Sequence, residues 1–392
     1  MNKKIAVVAG IIILLLAVIL TVFFWPRVTV APTLIENPNI PAQPAFNFAA
    51  PQRWDDIYIA SKILSWLENE MRDERGTYNM FSNCNYDDNG ELICDNNSVS
   101  NRTGTPVIWA NYLYWRRTGD PTAWERLQNA LAIYSNNNIV ELLQTDNLSC
   151  YYMLPIANDQ SITQTMRDQA ANICFRTIYE TPAFYEQFAD LEPDTYKFQS
   201  DQLISNIIDN ITAPTVTFDP TLPPHPVVPT NLGEIIPKYS WLDFATDLAV
   251  LYKFDPSPDR LNFAYYHFAG ALSVYAQDPA SLGNQCRLLL ASQQFCQIAD
   301  NIDDPSCQLT ENLTGFIASN PVNSDFSLTS AAKCALTAPT LKQKFLSLIR
   351  DYYFSDRNAF YQLSDSPWLL NENGSSTKSV MSNALFVGLL SL

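Results

Sequence analysis

Helices of two kinds recur along this chain, and their coexistence restricts its fold more than any other feature. In one kind, apolar side chains return at three- and four-residue steps. Examples are Ile57, Ala60, Leu64, Leu67 and Met71; Trp124, Leu127, Leu131 and Tyr134; Leu261, Ala264, Phe268, Leu272 and Tyr275; and Leu341, Phe345, Leu348 and Tyr352. That spacing gives a helix one apolar face and leaves the other to water. In the second kind, residues 241–252 and 380–392, the segment is apolar nearly all round. A helix without a polar face must be covered on every side. Half-buried helices laid around fully buried ones imply two layers. Capping side chains just before a proline, Asp120-Pro121 and Ser257-Pro258, mark helix starts.

The pattern also repeats. Residues 112–134 read as an aromatic-rich helix, the turn Thr118-Gly119-Asp120-Pro121, and an amphipathic helix ending in tyrosine. Residues 248–275 repeat this around Phe254-Asp255-Pro256-Ser257-Pro258, and 335–353 keep the second half. These are αα-hairpins. Their spacing is irregular and unlike the 34 residues of a tetratricopeptide array, which makes an open solenoid the second choice.

The stretch Trp109-Ala110-Asn111-Tyr112-Leu113-Tyr114-Trp115-Arg116-Arg117-Thr118-Gly119-Asp120-Pro121 resembles a hairpin of the six-hairpin (α/α) toroid superfamily. That superfamily includes glycoside hydrolases, polysaccharide lyases and sugar epimerases. The resemblance implies an all-α domain over 52–392, a closed ring of inner and outer helices with a carbohydrate cleft at one end. Fold alone does not fix function.

Residues 5–25 form an almost uninterrupted apolar run ending at Pro26, long enough as a helix to span a bilayer core of ~30 Å. Lys3 and Lys4 precede it and Arg27 follows, which keeps the N-terminus cytoplasmic and sends the rest across. An uncleaved signal anchor is preferred over a cleaved signal peptide. The apolar core of a signal peptide runs ~7–15 residues, and the nearby site Thr29-Val30-Ala31 would put Pro32 after the cut. Residues 26–51, rich in Pro, Ala and Asn, read as a stiff spacer. The expected partners are therefore the membrane, through this helix, and a glycan. A formal net charge of −16 makes nucleic acid a poor partner. Oligomeric state is not readable.

All 8 cysteines lie beyond the anchor, and an even number in an exported chain suggests disulfides. Cys84 and Cys94 flank the turn dipeptide Asn89-Gly90, the signal for a β-hairpin they could bridge. Cys150–Cys174 is the next neighbour pair. Residues 283–299 read as one helix, so Cys286 and Cys296 stand ~15 Å apart, beyond the ~7 Å limit of a bridge. Each must pair outside the helix, and Cys296–Cys307 with Cys286–Cys334 is the easiest arrangement. Residues 213–237 carry seven prolines and cannot be helical. They read as a lid or belt wrapped over one domain, or as a linker.

Catalytic resources are few. His225 and His267 are the only histidines, and His267, in Tyr265-Tyr266-His267-Phe268, reads as a packing residue. No phosphate loop, nucleophile elbow or zinc spacing is present. No cofactor is expected, with calcium the one candidate. Asn85, Asp87 and Asn89, followed by Gly90, match the first half of an oxygen-ligand loop. Its twelfth position is Asn96 rather than a bidentate glutamate, which favours a plain polar hairpin tip.

Carboxylates remain, and glycoside hydrolysis needs two. Asp243 and Asp247 share a face of an otherwise apolar helix, among Tyr239, Trp241 and Phe244. Buried charges are costly unless paired or facing a cavity. These two are the acid and base candidates, with Asp56 a partner across the cleft. The alternative is structural: Asp243 complementing its helix dipole and Asp247 bonded to an arginine. Trp109, Trp241, Trp368 and Tyr239 are candidate sugar-stacking residues, and Arg102 a candidate at the cleft mouth. The reading is a carbohydrate-active protein of glycoside hydrolase type; a non-catalytic glycan- or protein-binding toroid is the alternative.

Overall fold

The first described helix, α1 (Asp56–Trp66), starts where Asp55 accepts the Ile57 amide, and ends in a π-helical turn, Leu67–Met71. The computed structural model describes residues 55–79, 81–86, 92–98, 104–136, 148–179, 195–212, 241–275, 282–299, 301–320, 328–351, 353–354, 359–360 and 376–392. The expected anchor and spacer lie outside the described residues. Among those described, no helix is long and apolar enough to cross a membrane.

Twelve further helices follow: α2 (Gly104–Thr118), α3 (Pro121–Tyr134), α4 (Ser149–Asn158), α5 (Gln164–Tyr179), α6 (Thr195–Thr212), α7 (Trp241–Phe254), α8 (Pro258–Tyr275), α9 (Leu282–Ile298), α10 (Pro305–Ser319), α11 (Leu328–Thr337), α12 (Pro339–Asp351) and α13 (Val380–Ser391). Six of them form an inner ring. In the order α2, α4, α7, α9, α11, α13 each packs on the next, and α13 returns to α2. The outer helices α3, α5, α8, α10 and α12 each pack on the inner helix before them in sequence. The sixth hairpin is closed by the two ends of the domain, because α1 lies against α13. The domain is a six-hairpin α/α toroid, with α6 an addition to the outer layer between α8 and α10.

The sequence explains the division into layers. Nearly every residue of α13 is buried, as its lack of a polar face requires. The outer α3 begins at Asp120, which accepts the Thr122 amide beside Pro121, and buries only the stripe Ala123, Leu127, Ala130, Leu131 and Tyr134. Gly388 of α13 faces the Trp109 ring so closely that a Cβ there would overlap it. The absent side chain lets Trp109 fill the ring against Tyr152, 5.4 Å away between centroids.

Inner helices lead into outer ones through short turns: 119–120, 159–163, 255–257, 299–304 and residue 338. The return connections include the long stretches 135–148, 213–240 and 352–379. Alternation of short turns and antiparallel hairpins makes every inner helix run the same way. The inner helices that follow these stretches therefore all begin at one end of the inner ring.

At that end β1 (Phe81–Tyr86) pairs antiparallel with β2 (Leu92–Ser98), and β5 (Ser376–Ser379), just before α13, pairs with β1. A second pair, β3 (Tyr353–Phe354) and β4 (Ala359–Phe360), lies between α12 and β5. Cys84 stands opposite Cys94 in the register of the expected hairpin; their side chains lie outside the described residues. Among the described residues three bridges form: the expected neighbour pair and the two that the helix argument favoured. Cys150–Cys174 ties α4 to α5, Cys296–Cys307 ties α9 to α10, and Cys286–Cys334 ties the inner helices α9 and α11.

Candidate active site

Asp243 lies in the first turn of α7 and Asp247 one turn further, 2 % and 1 % exposed. The cation that balances Asp243 is Lys333 of α11, itself buried. Its Nζ donates to Asp243 Oδ2 at 2.6 Å. Arg287 of α9 places Nε 3.5 Å from the same oxygen, with its side chain 24 % exposed. Asp243 Oδ1 accepts no hydrogen bond among the described residues. Chain geometry holds both cations in place. Lys333 precedes Cys334 and Arg287 follows Cys286, so the bridge between those cysteines fixes both beside α7. Ala331, Ala332 and Ala335, all buried, keep α11 slim enough to bring the lysine inside.

Asp247 is engaged differently. Its Oδ1 accepts the Tyr151 amide at 2.8 Å, and the Cys150 and Leu148 amides also donate to this carboxyl. Those amides belong to the N-terminus of α4, whose own preceding residue, Leu148, has φ 80° and offers no capping side chain. A carboxyl from the neighbouring inner helix thus satisfies donors that a helix start leaves unpaired. Burial pushes the Asp247 carboxyl up to about 8, against the downward pull of the three amides; the Asp243 charge adds to the rise. Asp243 stands in the first turn of its helix, as the structural alternative expected, but the arginine lies beside it rather than beside Asp247. Asp243 takes the cations, and Asp247 serves a helix terminus, that of α4.

Asp56 is not brought to this cluster. It sits in the first turn of α1, in the outer layer against α13, on the far side of the ring from α7. Outer helices run opposite to inner ones, so its end of α1 lies away from the end where Asp243 sits. Trp109 is 4 % exposed and packs within the ring. It also lines a cavity of about 430 Å³ with Tyr151, Lys253, Phe254, Gln294 and Leu336. That cavity lies at the C-terminal end of the inner helices, and neither Asp243 nor Asp247 lines it.

Trp241 opens α7, but its side chain, like all of Arg102, Tyr239 and Trp368, lies outside the described residues. So do Asp87, Asn89 and the Asn85 side chain, the candidate calcium ligands. Among the described residues no group of three His, Cys, Asp or Glu could hold a metal. His267 packs edge-on against Phe263, Phe244 and Tyr266 with centroids 4.6, 4.9 and 5.1 Å away. Burial brings its imidazole down to about 3, as a packing residue requires. Sequence reasoning missed Lys333 and Arg287. The one available signal was a lysine inside an otherwise small and apolar helix.

Comparison with known proteins gives no matching family model and no match among curated proteins. Solved structures do match in outline. An unsaturated glucuronyl hydrolase from Bacillus sp. GL1, described as responsible for the degradation of glycosaminoglycan, is 11 % identical. The match covers 86 % of this chain and 95 % of that one, at TM-score 0.47. An unsaturated glucuronyl hydrolase specific for heparin is also 11 % identical, with the same coverage and TM-score 0.44. The toroid assignment rests on the closed order of helices described above.

Proposed function

We propose that this protein is carbohydrate-active, with its substrate site at the end of the ring where the inner helices begin and Asp243 as the residue that meets the sugar. The observation that carries this reading is the Asp243 carboxylate. One oxygen is held by Lys333, and the other is a buried acceptor with no donor among the described residues. A substrate hydroxyl or an attacking water supplies such a donor. Hydrolysis of a glycosidic bond also needs a proton-rich carboxyl beside a proton-poor one. Asp247, held protonated to about 8, supplies the first, and Asp243 is the carboxyl one turn away that lies beside Lys333 and Arg287.

A specific observation favours a non-catalytic reading as well. Asp247 is occupied by three α4 amides, and the Trp109 cavity has no carboxylate in its lining. Turnover and binding on a glycan panel, comparing wild type with Asp243→Asn, separates the two. Loss of turnover by 100-fold or more with binding retained supports hydrolysis. Binding without turnover in the wild type supports the second reading, and equal turnover in both proteins removes Asp243 from the site.

We also place this domain outside the cytoplasm on an N-terminal membrane anchor. The apolar run at 5–25 and three disulfides among the described residues support that placement. Protease added to intact cells should digest the domain and spare the tip before residue 5. Full protection of the domain would contradict it.

A further inference from the structure

The cavity at the opposite end of the ring belongs to none of the chemistry above. It opens where the inner helices end, and Lys253 lies ten residues beyond Asp243 on α7, ~15 Å along the helix. Its volume of about 430 Å³ is that of a small-molecule site. The walls are mainly apolar and aromatic, with Trp109, Tyr151 and Phe254 contributing rings.

Two of its polar side chains have no hydrogen-bond partner among the described residues. Gln294 lines the cavity at 6 % exposure, and among the described residues nothing hydrogen-bonds its amide. The Tyr151 hydroxyl likewise has no hydrogen-bond partner among the described residues. Lys253 donates to Gln297 Oε1 at 2.5 Å, but no described carboxylate pairs with it. Lys253 is exposed, so its ammonium stands at the rim of the cavity, in a chain with 40 acidic and 24 basic residues. Desolvation lowers the Lys253 pKa, and an anion brought beside it would favour the charged form again.

We infer that this cavity binds a small ring-bearing carboxylate, its ring against Trp109 and Phe254, its carboxylate on Lys253, and its remaining polar edge on the Gln294 amide and the Tyr151 hydroxyl. A flat ring suits the aromatic walls, and a carboxylate forms a charge-assisted hydrogen bond with an ammonium. Both an aromatic acid and a sugar acid carry this chemistry.

Calorimetric titration of the full chain decides, with phenylacetate and a hexuronate as probes and 2-phenylethanol and a methyl hexoside as their neutral counterparts. One of the two acids should saturate the protein and bind at least about tenfold more tightly than its neutral counterpart. Whichever acid binds identifies the ring type. Lys253→Gln should weaken that binding about tenfold, Lys253→Arg should retain it, and Gln294→Leu should weaken it. Asp243→Asn should leave it unchanged, which keeps this site separate from the one proposed for turnover. Lys253 is at the surface end of its helix, so the variants are checked for folding by their unchanged melting curves. Saturation by neither acid, equal binding of the neutral compounds, or indifference to Lys253→Gln would overturn the inference.

Discussion

Lys333 and Asp243 show how much of the ring's interior depends on single side chains. Each is a buried charge matched mainly by the other, with Arg287 as a second, longer contact. Removing one member of such a pair leaves an uncompensated charge and costs about 3–5 kcal/mol. Lys333→Met should therefore lower the urea midpoint sharply, and the double variant Lys333→Met/Asp243→Leu should recover most of the loss. Asp247 gives a pH signature. Its folded pKa of about 8 exceeds the ordinary value of 3.8, so the native state holds a proton that the unfolded chain releases in that interval. Stability from this group is complete below the unfolded pKa and declines as pH rises toward 8. Asp247→Asn keeps a carbonyl acceptor for the α4 amides without the titration. Its stability relative to wild type should rise across that window in denaturant curves taken from pH 5 to 8. A constant difference would contradict the assignment. None of this was legible residue by residue. Asp243 and Asp247 stood out because they interrupt an apolar helix, but the lysine that answers Asp243 is 90 residues away in sequence.

Helices that the sequence marked most clearly are those whose pattern is self-sufficient. The all-apolar α7 and α13 had to be covered, and both became inner helices. Asp120-Pro121 and Ser257-Pro258 started α3 and α8 where capping chemistry placed them. The length of α9 alone determined that Cys286 and Cys296 cannot meet, and their actual partners are Cys334 and Cys307. By contrast α6 is an outer addition whose place depends on tertiary contacts. Lys197 of α6 bridges Asp201, at 2.9 Å, and Asp304, at 2.9 Å. Asp304 also accepts the Ser306 amide at the start of α10. Asp304→Ala removes this cap and this tie together, at an expected cost of about 1–2 kcal/mol. Hydrogen exchange should then quicken in 195–212 more than in the inner helices. An unchanged exchange pattern there would show that apolar packing alone seats α6.

A closed ring built from hairpins was legible as a whole because its rhythm is repetitive. Which helices close it was not, since closure pairs the first described helix with the last. The layout also assigns different tasks to the two ends. Short turns finish one end around the Trp109 cavity, while β1, β2 and β5 lie at the other end, where Asp243 sits. Sequence alone could not say at which end a given aromatic or carboxylate would fall, because outer and inner helices run in opposite directions. Asp56 shows this most plainly.

Disulfide mapping of the intact, unreduced chain by proteolysis and mass spectrometry tests the ring most directly. The bridge between α9 and α11 exists only if those helices are neighbours in the inner layer. The account predicts recovery of Cys286–Cys334, Cys296–Cys307 and Cys150–Cys174. A Cys286–Cys296 peptide, or free thiols at these six positions, would contradict it.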